Sequence, residues 1–156
     1  MNDAEMQTLA AALRAETDAG VVAAMVVRND TYLTQWCNSE SNTLCWNNAM
    51  SKRGLFEATN VTKYDNIAQA GKREVWMLML DNAPIDFSRN KMRNAVVDVW
   101  GASDSVGILQ DCRRKATNGE LYMGSSDVTE NTVTAKKLTR PGYISLDDVS
   151  NSLNLY

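Results

Sequence analysis

The chain of 156 residues has no histidine, two prolines, two phenylalanines and three cysteines. Without histidine, the usual general base of serine and cysteine hydrolases and the commonest metal ligand are both missing. Cys37, Cys45 and Cys112 form an odd set without C-x-x-C spacing, so a cysteine zinc site is not expected. Their pattern fits reduced, buried thiols in a cytoplasmic setting. A phosphate-cradling loop is missing too, since Gly119, Gly124 and Gly142 match neither the P-loop nor the dinucleotide pattern. No cofactor is therefore expected.

Long apolar runs are also scarce. Residues 21–27 and 75–80 fall far below the ~20 residues that cross a bilayer, and the start, MNDAEMQTLAAAL, lacks the basic region of a signal peptide. A soluble protein with no membrane partner is the expectation. Lys and Arg number 16 against 19 acids, a net charge of −3, and are spread thinly. Tight nucleic-acid binding rests on gathered basic contacts to phosphate, so that partner is not expected.

What is present is helical periodicity. Residues 88–101 carry a candidate cap, Ser88, an apolar stripe of Met92, Val96, Val99 and Trp100, and a candidate stop, Gly101. Residues 3–17 repeat the pattern with Met6, Leu9, Ala10 and Leu13. Asp18 starts a short helix to about residue 28, and Asp30 caps a third bearing Tyr32, Leu33, Trp36 and Cys37. Residues 38–43, NSESNT, read as a polar loop, with helix resuming near Leu44 or Cys45 and carrying Trp46 and Met50. The spacing predicts a longer helix over 68–82, whose VWMLML segment is apolar on every side and reads as a buried central helix or a buried strand, with Met and Leu favouring helix. Pro84 ends it.

Ser103 caps a further helix over 104–116, which places Arg113, Arg114 and Lys115 at its negative pole, either as a solvated end or against an acidic partner surface. Residues 117–141 change character: Thr, Val, Ser, Asn and Gly dominate, and 128–138 read as an extended segment or hairpin, a surface excursion or a partner-contacting arm. Ser145 caps a last helix with Leu146, Val149 and Leu153, followed by Asn154, Leu155 and Tyr156. The expected fold is all-α: a single compact multi-helix bundle over 1–156, with an irregular or short β-hairpin excursion near 117–141 and a C-terminal helix and tail at 142–156.

Several of these segments resemble a family of small helical proteins from the structural modules of tailed bacteriophages. They are TLAAALRAETD at 8–18, Arg28 to Asp30, Trp76 ahead of Pro84, DFSRNKMRNAVVDVWG at 86–101, ELYMG at 120–124 and SLDDVSNSL at 145–153. That family looks like the head-to-tail connectors, also called adaptor or head-completion proteins. The resemblance implies a non-catalytic virion protein of the phage neck, made in the host cytoplasm. It would form a homo-oligomeric ring, commonly of twelve copies, between the portal protein and tail or neck proteins, with DNA in transient passage. It further implies Leu153, Leu155 and Tyr156 as portal-facing anchors. The 117–141 stretch, with Lys136 and Lys137, and the neighbouring Arg113 and Arg114 would be partner-binding.

Other readings stay open on the residues alone. A tail terminator or head decoration protein shares the gene neighbourhood but is more often rich in strand. A regulatory DNA-binding module could use the short helices of 18–37, although the helix around Tyr32 and Trp36 is nearly uncharged. A lysozyme-like hydrolase would draw its carboxylates from Glu57, Glu74 and Asp98.

Overall fold

The structure, a computed structural model, describes all 156 residues. In chain order it contains α1 (Asp3–Ala15), α2 (Ala19–Val26), α3 (Asp30–Asn38), β1 (Glu40–Trp46), α4 (Lys52–Ala58), α5 (Val61–Asp65) and α6 (Ala70–Asp81). There follow α7 (Asn90–Asp111), β2 (Arg113–Thr117), α8 (Asn118–Tyr122), β3 (Ser125–Glu130), β4 (Val133–Leu138) and α9 (Leu146–Leu155). The strands form one sheet in the order β2-β1-β4-β3. With 58% helix and 17% strand around this mixed sheet, the fold is α+β, and the all-α bundle is corrected. Strands β3 and β4 occupy the expected hairpin segment, but as half of a sheet rather than as an excursion.

The missed strands have a physical explanation. In β1 the exposed positions Glu40, Asn42 and Leu44 alternate with the half-buried Ser41 and Thr43 and the buried Cys45. Because small polar residues take inward positions, period-two burial leaves no period-two hydrophobicity, and NSESNT imitates a loop. The expected helix near Leu44 is displaced: Trp46 ends β1, Met50 pairs with Ile85 in an isolated bridge, and α4 starts at Lys52 under a Ser51 cap. The helix expected to reach residue 116 ends at Asp111, and RRKAT becomes β2. Arg114 and Lys115 therefore lie on a strand rather than in a last helical turn, while Arg113, just past the end of α7, donates to Gln110 O of that turn at 3.0 Å. Sheet pairing overrides their indifferent local preference.

Helix starts follow capping chemistry more closely. Asn2 with Glu5, Asp18, and Ser145 with Asp148 cap α1, α2 and α9 through their side chains. The cap of α3 is Asn29, one residue before the expected Asp30. Ser88 is not a cap: its amide donates to Asp86 Oδ1 at 2.9 Å, and α7 begins at Asn90 behind an uncapped Arg89. Gly101, at φ 77° and ψ 168°, breaks α7 into two runs, and the second restarts at once without waiting for Ser103.

The chain divides into two compact units. The first comprises Met1–Asn42, Lys115–Ser126 and Leu138–Tyr156; the second comprises Thr43–Arg114 and Asp127–Lys137. In the first unit α1 packs on α9, and the core is aliphatic, built on Leu9, Leu13, Val21, Leu33, Ile144 and Val149. Side chains lock its three segments together. Asn38 donates to Thr34 O at 2.8 Å and Ile144 O at 2.7 Å and accepts from Ile144 N at 3.0 Å. Gly119 is obligatory at its place, since a Cβ would stand 2.7 Å from Ile144 Cγ1 and 3.0 Å from Cys37 O. The second unit has an aromatic core of Trp46, Trp76, Phe87 and Trp100, in which Trp76 and Trp100 meet edge to face at 5.2 Å.

Candidate assembly surfaces

Helix α6 buries Trp76, Met79 and Leu80. The sequence expectation of a segment buried on all sides fails here, because Val75, Met77 and Leu78 stay exposed, Leu78 at 60%. An all-round apolar helix at the edge of a small unit can cover only one face. Beside it, Phe56 from α4 (59% exposed) and Val61 from α5 join Met77 around an apolar groove of about 140 Å³, with Tyr64, Trp76 and Leu80 also lining it. The second unit thus exposes five large apolar side chains, Phe56, Val61, Val75, Met77 and Leu78, on three neighbouring helices. The sequence signal was available, in the excess of apolar positions over one helical face, but it reads equally as central burial.

The first unit carries a separate apolar set. Val22, Val26 and Val27 lie on or just after α2, with Val26 80% exposed. Of the residues singled out at the C-terminal helix, Leu153 is buried in the aliphatic core, whereas Leu155 and Tyr156 are exposed. Arg28 holds this end by donating to Leu153 O and to Asn154 Oδ1 at 2.9 Å.

The basic residues named from sequence are placed as follows. Arg113 is half-buried and donates to Gln110 O at 3.0 Å and Thr134 O at 3.4 Å. Arg114 donates to Asn48 Oδ1 at 3.1 Å. Lys136 pairs with Asp127 at 3.0 Å across the β3–β4 hairpin, and Lys137 is exposed on β4. Arg113 and Arg114 share β2, and Lys136 and Lys137 share β4, so all four lie on the sheet.

The three carboxylates of the hydrolase reading do not converge. Glu57 lines an open cleft of about 510 Å³ and is tied to Arg53 at 2.8 Å; Asp98 lines a different cleft of about 350 Å³; Glu74 is exposed on α6. Retaining or inverting hydrolysis needs two carboxyl groups flanking one bond, one of them in an apolar setting that keeps it protonated. A neighbouring cleft of about 290 Å³ is lined by Lys63, Lys72, Gln69 and Asp104, with the Lys63 ammonium bonded to Asp104. No group of three or more Cys, Asp or Glu is placed to hold a metal ion.

Buried polar groups serve packing. Arg93 on α7 is 2% exposed, stacks over Trp46 at 5.0 Å and donates to Phe87 O at 2.7 Å, with Glu130 at 3.9 Å. Burial lowers its pKa, and the carboxylates of Glu130 and Asp86 oppose that shift. Tyr122 donates to Glu16 and accepts from Trp36 Nε1 at 2.8 Å. The Tyr122 hydroxyl, followed by the Thr17 amide, holds Glu16 below the usual carboxylate range. Burial pushes the Cys37 thiol up to about 12, so it is a poor nucleophile near neutral pH.

Compared with protein-family models, curated proteins and solved structures, the chain matches none of them.

Proposed function

We propose that this chain is a non-catalytic structural subunit of a tailed bacteriophage, a head-to-tail adaptor. In this reading it joins the portal protein to the tail as a ring through which DNA passes. The observation that carries the reading is the exposed apolar surface around the groove of α4, α5 and α6. Contiguous exposed apolar side chains on a small protein mark partner contacts. Its clefts gather no reacting constellation, and its exposed Leu155 and Tyr156 offer a second point of attachment. The sequence resemblance selects the phage neck from among the assemblies such a surface could serve.

The test is co-expression of the full chain with a candidate phage portal protein, followed by imaging of the purified complex. The expected result is a ring, commonly twelvefold, below the portal, and substitution of Phe56 and Leu78 by serine abolishes capture. A chain that purifies free of portal under all conditions overturns the proposal. The four-stranded sheet gives some support to a tail terminator or decoration role, and the same images separate these roles by position on the particle.

A further inference from the structure

Helix α6 starts without help from its own side chains. Gln69 occupies the cap position but makes no cap bond, and the first turn, Ala70, Gly71, Lys72 and Arg73, contains no acid. The amides of Lys72 and Arg73 turn back to Gln69 O at 3.1 and 3.4 Å, which leaves those of Ala70 and Gly71 without a protein acceptor. Lys72 adds positive charge to the positive end of the helix dipole, where an acid is the stabilising choice. It is half-buried and has no carboxylate within ion-pair distance.

A second, independent feature borders the same turn. Gln69, Lys72 and Val99 line both the cleft of about 290 Å³ and the one of about 350 Å³, so the two adjoin beside the start of α6. Trp100 lines the smaller of them and is only 7% exposed, yet its indole Nε1 is buried with no acceptor. The other three tryptophans are all paired: Trp36 donates to the Tyr122 hydroxyl at 2.8 Å, Trp46 to Val128 O at 3.1 Å and Trp76 to Thr59 Oγ1 at 3.0 Å. Buried N–H groups are almost always satisfied, so the exception calls for an acceptor from outside the fold.

Charge and shape define that acceptor. Lys63 is bonded to Asp104, and Asp98 stands exposed along the larger cleft, so Lys72 is the one unpaired cation of the joined cleft. This balance suits one negative charge and opposes a multiply charged phosphate. Val75, Ala95 and Val99 supply an apolar wall next to it.

We infer that the joined cleft binds a monocarboxylate carried on a small apolar body. The carboxylate accepts from the Lys72 ammonium, the free first-turn amides of α6 and the Trp100 indole, and the body lies over Val75, Ala95 and Val99. A mainly apolar wall with a few converging donors is the usual build of a small-ligand site. The site uses none of Phe56, Val61, Met77 or Leu78, and it stands or falls independently of the adaptor reading.

The test titrates the full nitrogen-15-labelled chain with N-acetyl-leucine and follows the indole N–H signals by two-dimensional NMR. Trp100→Phe removes one signal and so identifies it; if that variant does not fold, sequential assignment of the wild-type chain replaces it. The Trp100 signal is expected to move downfield and saturate, while those of Trp36 and Trp46 stay in place. Lys72→Gln should weaken binding by about tenfold, because a hydrogen bond to a charged group is lost. N-acetyl-leucine amide, which lacks the charge, should leave the Trp100 signal unmoved at the same concentration. A pentapeptide with a free C-terminal leucine separates the two sources of this chemistry: tighter binding than N-acetyl-leucine supports a chain terminus as the ligand, and equal or weaker binding supports a free acid. An unmoved Trp100 signal with both carboxylates overturns the inference, as does an equal response to the amide. Tighter binding of inorganic phosphate overturns it too, as does undiminished binding by folded Lys72→Gln.

Discussion

The two units reach stability by different routes. The first gathers three separated stretches of chain around a small aliphatic core, and polar side chains fix them against one another: Asn38 on Ile144, Glu120 on Gly142 N at 2.7 Å, Tyr122 on Glu16. The second is one long stretch plus a hairpin and relies on a core with three tryptophans, one of which, Trp46, stacks on the buried Arg93. Hydrogen bonds are directional and specify which segments belong together, whereas aromatic burial is large and undirected. Both units keep apolar side chains at the surface, Val26, Val27 and Leu155 in the first and Phe56, Met77 and Leu78 in the second, so the contrast lies in how their interiors are held. The contrast is one of cohesion: directional bonds join separated segments in the first unit, and undirected aromatic burial holds the second.

The sharpest way to break this contrast is Trp76→Ala. Trp76 is fully buried, meets Trp100 edge to face and donates to Thr59 Oγ1 at 3.0 Å. Its truncation should cost about 3–5 kcal/mol. Tryptophan fluorescence during urea unfolding reads the loss, because Trp46, Trp76 and Trp100, three of the four tryptophans, lie in the second unit, with Trp36 alone in the first. Next comes Asn38→Ala, which leaves the backbone groups of Ile144 without their side-chain partner and should cost about 1–3 kcal/mol. Hydrogen exchange should show the loss in α3 and α9 and spare α6. Equal loosening of α6 would contradict the division of roles.

Acid provides a milder probe. Glu16 and Asp148 both have folded pKa values below their ordinary ones. For Asp148, burial pulls upward, but the Ser145 amide and hydroxyl and the Met1 amine outweigh it. A depressed carboxylate stabilises the fold above its unfolded pKa and loses that contribution as pH falls through the folded one. The first unit should therefore lose stability on acidification below about pH 4, the ordinary carboxylate range. Glu16→Gln should flatten part of that slope in thermal melts recorded across pH. The smallest effect on stability is expected for Leu78→Ser, within about 0.5 kcal/mol because the side chain already faces solvent. Its effect should appear instead in partner capture, and a large drop in melting temperature would show that the α6 face serves folding.

The helices α1, α2 and α9 were legible, since Asp18 and Ser145 advertise two of their starts and the stripes of α1 and α9 repeat at helical spacing. Two kinds of signal were hidden. Strands β1 and β2 carry Ser, Thr, Asn and Arg where a sheet reader looks for Val and Ile, and only pairing with distant strands makes them extended. The candidate surface was half visible. VWMLML announces apolar excess, but burial depends on what packs against it, and no local pattern records that α6 is covered on one face. Leu153 shows the opposite error, a terminal apolar residue read as an anchor that the first unit takes into its own core.

At the hairpin tip, Asn131 donates to Ala102 O and to Ser105 Oγ at 2.8 Å, and Thr132 adopts φ 70° despite its branched side chain. Side chains alternate strictly along a strand, so the length of this link sets the phase of all of β4. One inserted residue would turn Val133 and Ala135 toward water and Thr134 and Lys136 toward the tryptophans. Two residues at a surface corner thus act as the clutch that engages a hydrophobic interior with the correct half of a strand.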